Sequence, residues 1–468
     1  MDIPLSIKEL QDSITEKKYT HIDLVDTYLN RIELYDKKIN SFITVTKDSA
    51  YKDAKKCDKI VSELGGEAFK KYPLLGVVVA LKDLFSTKGI RTTAGSKLLE
   101  NYVSLYDATV VSKLKEAGCI IIGKTNCDAW AHGASGENSD YGPTRNPYNL
   151  DLVPGGSSSG SAASIASDFC LVSTGTDTGG SIRQPANFCG VVGLKPTYGS
   201  VSRYGIIAMS SSLDSIGHFS KNVSDSERVF NVTKGIDGYD ATLQEKITPP
   251  QKGKLTIGVP KEYFTQGINA VVKDEVKRVI KTFEDNGFNI KEVSLPLTKY
   301  AISVYYIIQP GEVSSNLGRY DGTRYGYKRE SFGSEAKRRI MLGTYVLSAG
   351  YFDKYYLKAM KVRSKIIEDF DNVFENVDAI IAPVSPTTAF KLGEKNNDPV
   401  QMYLSDIYTV SANIAGIPGL AIPSNVTKEG LPLGFQILGK KFSENILFDI
   451  GKRFEIFNKI SIPKPTMP

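Results

Sequence analysis

Histidine is scarce in this sequence. Three occur in 468 residues, His21, His132 and His218, and none has the spacing of an HExxH metal-binding helix. A serine hydrolase that uses histidine as its base needs one near the nucleophile, and neither serine-rich tract of the chain supplies an obvious one. His21 lies in a polar helix start and is expected to face solvent, while His132 and His218 flank glycines in expected loops, where structural roles predominate. GSSSG at 156–160 and GCIIIGKT at 118–125 match the GxSxG and GxxxxGK[ST] patterns letter for letter, but the first has no histidine beside it and the second runs through the apolar stretch CIIIGKT, which reads as a strand rather than a phosphate loop. The five cysteines (Cys57, Cys119, Cys127, Cys170, Cys189) form no CxxC pair, which fits buried free thiols in a reducing compartment. No stretch reaches the ~20 apolar residues of a membrane span, and MDIPLSIKELQDSITEKK lacks the basic and apolar regions of a secretory signal. A cytoplasmic or organelle-matrix protein without membrane contact is expected. Lys plus Arg is 58 against 52 for Asp plus Glu, a net charge of +6 with no long like-charge run, so a nucleic-acid or membrane patch is not indicated. With 41% hydrophobic and 24% charged residues the chain is globular rather than disordered.

What is present is an alternation of elements. Ile7, Leu10 and Ile14 recur at helical spacing, and an amphipathic stretch follows Thr20, which reads as an N-cap. From Leu74 the pattern changes to strand and helix in turn: LLGVVVALKDLF, then ATVVSKLKEAG, CIIIGKT, SAASIAS and FCLVSTGTD. KLTIGVP, a helix near 272–287, a long helical region near 350–376, DAIIAPVSP, GLAIPSNV and PLGFQILG continue it. Such alternation implies an α/β fold, a sheet covered by helices on both faces with its loops gathered at strand ends. Residues 236–252 form the best surface-loop candidate, with one sheet collecting the strands on either side. A single domain over 1–468 is expected, with amino-terminal helices over 1–65 and a core over about 74–220.

Two glycine-serine tracts stand out. PGGSSSGS at 154–161 holds three glycines and four serines and by composition would pass for a linker, yet the small-residue helix signal SAASIAS begins at once. TGTDTGGSIRQPA at 174–186 follows an apolar strand and places Gly179 and Gly180 before Ser181. Glycines there let successive N–H groups point into one small space, as an oxyanion beside a serine nucleophile requires; the alternative is a tight turn after a strand. One helix and one strand separate the tracts, so both can return to the same edge of the sheet. A serine without histidine still needs a base, and a buried lysine serves where desolvation lowers its pKa. Lys82, ending GVVVAL, has the setting that fits best, although alone it would pass for a lysine reaching back to solvent.

Lys82 in ALKD, Ser157 in PGGSSSGS and Ser181 in DTGGSIRQPA together resemble the Lys, cis-Ser and Ser triad of the amidase signature family, with intervals of 157 − 82 = 75 and 181 − 157 = 24. The resemblance covers nearly the whole chain and implies that family's fold, one large mixed β-sheet covered by helices on both faces. The flanks GPTRNPYN, IRQPANFCGVVGLKPTYGSVSRYGIIAMSSSLDSIG, SSNLGRYDGTRYGY and AKRRIMLGTYVLSAGYFDKYYLKA are similar to the branch of the family that acts as the glutaminase of a tRNA-dependent amidotransferase.

The resemblance implies that Ser181 attacks the carboxamide of glutamine, that Ser157, after a cis peptide bond, relays the proton to Lys82, and that Thr178, Gly179, Gly180 and Ser181 supply the oxyanion donors. Arg339 in AKRR and Asp406 in YLSDIY would hold the substrate's α-carboxylate and α-amino group, with a hydroxyl from Tyr306 or its neighbour Tyr305. Ammonia would pass to a B-type partner that uses ATP and Mg2+ to convert Glu-tRNA(Gln) to Gln-tRNA(Gln), with a C-type partner completing a heterotrimer; this chain would hold no cofactor or metal. Ser159 stands where the family has glycine, Ala129 where many members have an acidic residue, and the linker after TRYGYK is shorter than usual. A stand-alone amidase acting on another small carboxamide is the nearest alternative. A non-catalytic scaffold would have no need of Lys82, Ser157 and Ser181 together.

Overall fold

The β-branched run after Gly76 forms a strand whose five residues are all buried, as expected where both faces of a sheet are covered. In chain order the strands are β1 (Phe42–Val45), β2 (Val78–Lys82), β3 (Ile120–Thr125), β4 (Val172–Asp177), β5 (Val192–Lys195), β6 (Ser215–Ser220), β7 (Thr256–Pro260), β8 (Asn289–Val293), β9 (Ala379–Ala382), β10 (Gly419–Val426) and β11 (Pro432–Gly439). They form one 11-stranded sheet in the order β1-β3-β2-β4-β6-β5-β10-β11-β9-β7-β8. The sheet is mixed. β2 runs parallel to β3 and β4, and β7 to β8 and β9, while the central strands β4, β6, β5, β10, β11 and β9 pair antiparallel in succession. This computed structural model describes residues 2–249, 253–264, 267–323, 326–395 and 398–467.

The helices lie where small or periodic apolar residues meet the sheet. Ser159–Ala166, built largely of serine and alanine, packs on β2 and β4, and Arg183–Phe188 packs on β5, β10 and β11. Ala270–Asp285 and Glu444–Phe457 cover β11, and Val223–Thr233 covers β6. At the amino terminus Ile7, Leu10 and Ile14 are the buried face of Ile7–Thr15. Thr20 caps His21–Ile39 as expected, exchanging hydrogen bonds with Asp23. The region expected to be helical near 350–376 is a π-helical turn, Phe352–Leu357, running into Lys358–Val373. Residues 236–249 form an irregular surface loop; the remainder of the expected loop, 250–252, and residues 324–325 of TRYGYK lie outside the described residues. No helix among the described residues is long and apolar enough to cross a membrane.

Two histidines depart from expectation. His21 is fully buried: its Nδ1 lies 2.7 Å from Asp58 Oδ1, and its backbone N–H donates to the same carboxylate. The polar helix start concealed this partner, because Asp58 belongs to the neighbouring helix Lys47–Leu64. His218 is a residue of β6 rather than a loop, with its ring against the Ser226 hydroxyl at 2.9 Å. All five cysteines are buried and free, and burial pushes the thiols of Cys57, Cys127 and Cys170 up to about 12.

Candidate active site

Lys82 is the last residue of β2, and Asp177 is the last of the parallel neighbour β4. The tracts that follow or pack against these two ends therefore meet at one edge of the sheet. The peptide bond between Gly156 and Ser157 is cis, and the helix that follows begins at Ser159. Lys82 Nζ lies 2.8 Å from Ser157 Oγ, 2.9 Å from Ser158 Oγ and 2.8 Å from Thr176 Oγ1. The side chain is fully buried, and burial lowers its pKa to about 8.

The hydroxyl protons decide how this cluster works. Ser158 donates to the Thr176 carbonyl at 3.2 Å, so it can only accept from Lys82. A neutral amine has two N–H groups and one lone pair. Donation to Ser158 leaves the second N–H and the lone pair to be divided between Thr176 and Ser157, whose hydroxyls have no other partner among the described residues.

Ser181 stands on the loop between β4 and Arg183–Phe188. Asp177 braces that loop by accepting from the N–H groups of Ile182 and Arg183 at 3.2 and 3.3 Å, and from Arg183 Nε at 3.0 Å. Burial opposes ionisation of Asp177, but the Arg183 guanidinium overcomes it and holds the carboxyl at about 2. The Ser158 N–H donates to the Ser181 carbonyl at 3.3 Å, joining the two tracts directly. Gly180 has a φ of +144°, a conformation that L side chains rarely adopt. Among the described residues the N–H groups of Gly179, Gly180 and Ser181 donate to no protein acceptor. The Thr178 hydroxyl donates to Asp214 at 2.7 Å, and the Thr409 hydroxyl to the Gly179 carbonyl at 2.6 Å, so the loop is held from both sides.

Ser181 opens onto a cavity of about 290 Å³ that is also lined by Tyr305, Tyr306, Arg339, Tyr403 and Asp406. Lys82 and Ser157 sit behind it, fully buried. Arg339 and Asp406 are thus brought to the same cavity as Ser181, and neither is an exposed helix charge: they are 4% and 7% accessible. Arg339 Nε donates to Glu335 and Nη1 to Gln309, both at 2.8 Å, with the guanidinium over the Tyr306 ring. The Asp406 carboxylate receives no hydrogen bond from a described residue, and burial, with the Asp177 charge next in weight, pushes its pKa up to about 8. Both tyrosines reach the cavity by different contacts. The Tyr305 hydroxyl packs so closely on Gly179 that a Cβ there would stand 2.9 Å from it, whereas Tyr306 stacks on Tyr403 with ring centroids 3.8 Å apart.

His132, expected only as a structural loop residue, also lines this cavity. Burial and the Arg339 charge hold its imidazole pKa well below the ordinary value, so the ring is neutral. Glu335, Tyr403 and Lys395, which line the cavity, and Gln309, which accepts from Arg339 behind it, were not visible in the sequence as site residues, since each sits in an ordinary helix or loop and reaches the site only through tertiary packing. Of the unusual positions, Ser159 bonds the Thr144 hydroxyl at 3.2 Å, and Ala129 is buried in a short helical turn.

A family model described as Amidase matches residues 23–448. The chain belongs to the amidase family. Among curated amidase relatives, the A-type subunit of the glutamyl-tRNA(Gln) amidotransferase of Carboxydothermus hydrogenoformans is 51% identical, with 96% of each chain covered. The A-type subunit of the same enzyme from a Sulfurihydrogenibium species is 49% identical, with 97% of each covered. Among solved structures, the A-type subunit of the Thermotoga maritima glutamyl-tRNA(Gln) amidotransferase superposes with a TM-score of 0.83 at 38% identity, covering 100% of this chain and 99% of that one. The peptide amidase of Stenotrophomonas maltophilia gives 0.83 at 27% identity, covering 99% and 98%. The mixed sheet and its helices are therefore those of the amidase fold.

Proposed function

We propose that this amidase is the glutaminase subunit of a tRNA-dependent amidotransferase. The observation that carries the proposal is the pairing, in one cavity with Ser181, of a buried guanidinium and a buried carboxylate without a protein donor, Arg339 and Asp406. Such a pair suits the α-carboxylate and α-ammonium of a free amino acid. Near-half identity over the full length to A-type subunits of glutamyl-tRNA(Gln) amidotransferases supports glutamine as that amino acid.

In this reading Ser181 Oγ attacks the side-chain carboxamide carbon of glutamine while its proton passes through the Ser157 hydroxyl to the lone pair of Lys82. The oxygen that becomes negative meets the N–H groups of Gly179, Gly180 and Ser181, with Thr178 completing the loop; such donors contribute about 3 to 4 kcal/mol each when preorganised. Collapse breaks the C–N bond, and the proton held on Lys82 returns through Ser157 to the departing nitrogen, releasing ammonia. Water then attacks the glutamyl ester, and the same relay restores Ser181 and frees glutamate. Tyr305 and Tyr306 wall the substrate between the two charged groups. The ammonia serves a B-type partner, where ATP and Mg2+ activate Glu-tRNA(Gln), with a C-type partner completing the heterotrimer.

The test is Ser181→Ala in the assembled complex. Glutamine-dependent amidation is expected to fall by at least about 10³-fold, while amidation driven by added ammonia continues at the wild-type rate. Glutaminase activity surviving in that variant would remove Ser181 from its role. Ammonia release from other carboxamides as fast as from glutamine, without partners or tRNA, would instead establish a stand-alone amidase.

A further inference from the structure

Three acidic side chains, Glu137, Glu335 and Asp406, and three basic ones, Arg338, Arg339 and Lys395, line the cavity, and they are unevenly paired. Glu335 is the carboxylate partner of both Arg339 and Arg338, so one anion serves two guanidiniums. Arg339 has spent Nε on Glu335 and Nη1 on Gln309, and only Nη2 is without a protein acceptor among the described residues. A carboxylate has two oxygens and is held best by two charged donors. Arg339, with its fork partly committed, supplies a reduced share of that requirement.

A second cation faces the same cavity. Lys395 lines it together with Ser181, Arg339 and Asp406. Its Nζ lies 4.0 Å from the centroid of the Phe390 ring, which fixes the ammonium in place by cation–π attraction. Its single hydrogen bond is to the neutral Ser405 hydroxyl at 3.0 Å, the residue before Asp406. The charges of Glu394 and Asp406 act on it, but no carboxylate is within ion-pair distance among the described residues, and a lysine ammonium has three donors. The segment that carries it is anchored independently, by the Gly393 N–H donating to Glu137 at 2.6 Å and by a bridge between Lys391 and Leu152. Lys395 is therefore not needed to hold its own backbone, yet it is held over the cavity with donors to spare.

We infer that Lys395 is a specificity-determining residue that contacts the substrate's α-carboxylate, sharing it with Arg339, while Asp406 takes the α-ammonium. The inference rests on the glutaminase reading above and adds to it a second cationic contact, selecting amino-acid carboxamides over simple amides. The alternative role, a tie joining the 388–395 segment to Ser405, gives different outcomes when tested.

The experiment measures kcat and KM for glutamine in the assembled enzyme carrying Lys395→Met, Lys395→Arg or Ser405→Ala. Methionine keeps an apolar stem over Phe390 and removes only the charge. KM is expected to rise about 10- to 30-fold in Lys395→Met, with kcat within about twofold, as befits loss of a contact made equally in ground and transition states. Lys395→Arg should recover most of the loss. Ser405→Ala, which breaks the tie and leaves the charge, should keep KM within about threefold of wild type. The inference is overturned if Ser405→Ala reproduces the Lys395→Met effect, if arginine fails to rescue, or if KM for glutamine is unchanged by Lys395→Met. Absence of glutamine hydrolysis in the unmodified complex would sink the glutaminase reading itself and is distinguishable from each of these results.

Discussion

Lys82 and Asp406 are moved in opposite directions by one cause. Burial disfavours charge, so the lysine comes down to about 8 and the carboxyl goes up to about 8. Below that pH, Lys82 carries a third proton and offers Ser157 no lone pair, and an empty Asp406 is neutral and attracts no ammonium. On the proposed mechanism, raising the pH through about 8 is therefore expected to increase kcat through Lys82 and to lower KM through Asp406. Steady-state profiles on the assembled enzyme should separate them: Asp406→Asn should raise KM and abolish its dependence on pH, while the rise in kcat persists. A flat kcat profile with chemistry rate-limiting would count against Lys82 as the neutral base. At this scale the sequence was informative wherever chemistry was local. Lys82 ends an apolar run, and Ser157 and Ser181 lie in tracts whose glycines declare close approach. His132 and Lys395 carried no such mark, because what distinguishes them is the cavity they face.

The helices Ala301–Leu317 and Ser334–Leu347 build one side of the cavity, the first carrying Tyr305, Tyr306 and, behind Arg339, Gln309, the second Glu335 and Arg339. They cross closely at Gly343, where a Cβ would stand 1.8 Å from the Pro310 carbonyl oxygen. Gly343→Ala must push the helices apart and shift Arg339 relative to Gln309 and Tyr306. The expected result is a stability loss of about 1–3 kcal/mol by thermal or urea unfolding. KM should rise about tenfold while kcat changes little, because the triad lies on other elements. An unchanged KM in a folded variant would show that the crossing does not set the position of Arg339. The first of these helices was hard to read from the sequence. Pro310 lies inside it, and an internal proline ordinarily argues for a break.

The molecule is joined across its length by one buried arginine. Arg183 reaches Asp177 in β4, Gln436 in β11 at 2.8 Å, Asn413 at 2.7 Å and the Thr409 carbonyl at 2.9 Å. Replacing it with methionine leaves Asp177 buried without its cation, which costs about 3–5 kcal/mol. The pH dependence has a definite sign. In the wild type Asp177 titrates at about 2, so the stability it contributes is present above the ordinary carboxyl range and is lost as pH falls toward 2. In Arg183→Met the carboxyl loses that depression and takes up a proton more readily. The difference in unfolding free energy between variant and wild type should then shrink as pH is lowered from about 7 toward about 5, by urea denaturation at each pH. A difference independent of pH would mean that lost packing, not the stranded charge, dominates.

Local rules were enough for the amino acid sequence to determine the α/β alternation, the Thr20 cap and the buried core strands, and to mark the glycine-serine tracts around Ser157 and Ser181, since backbone period, turn residues and glycine act over a few residues; the roles of Lys82, Ser157 and Ser181 came from the family resemblance. Only the tertiary structure decided which charges share a cavity. Arg339 and Asp406 lie 67 residues apart (406 − 339), and nothing in either neighbourhood says that both are buried beside Ser181. That outcome depends on a sheet that sets β4 and β5 together with β10 and β11, strands from opposite halves of the chain. The same holds for His21, whose polar surroundings suggested solvent until Asp58 was found against it. A titratable group is buried when a distant partner compensates it, as Asp58 does His21, or when it gives up its charge, as His132 does, and neither outcome is visible to local pattern.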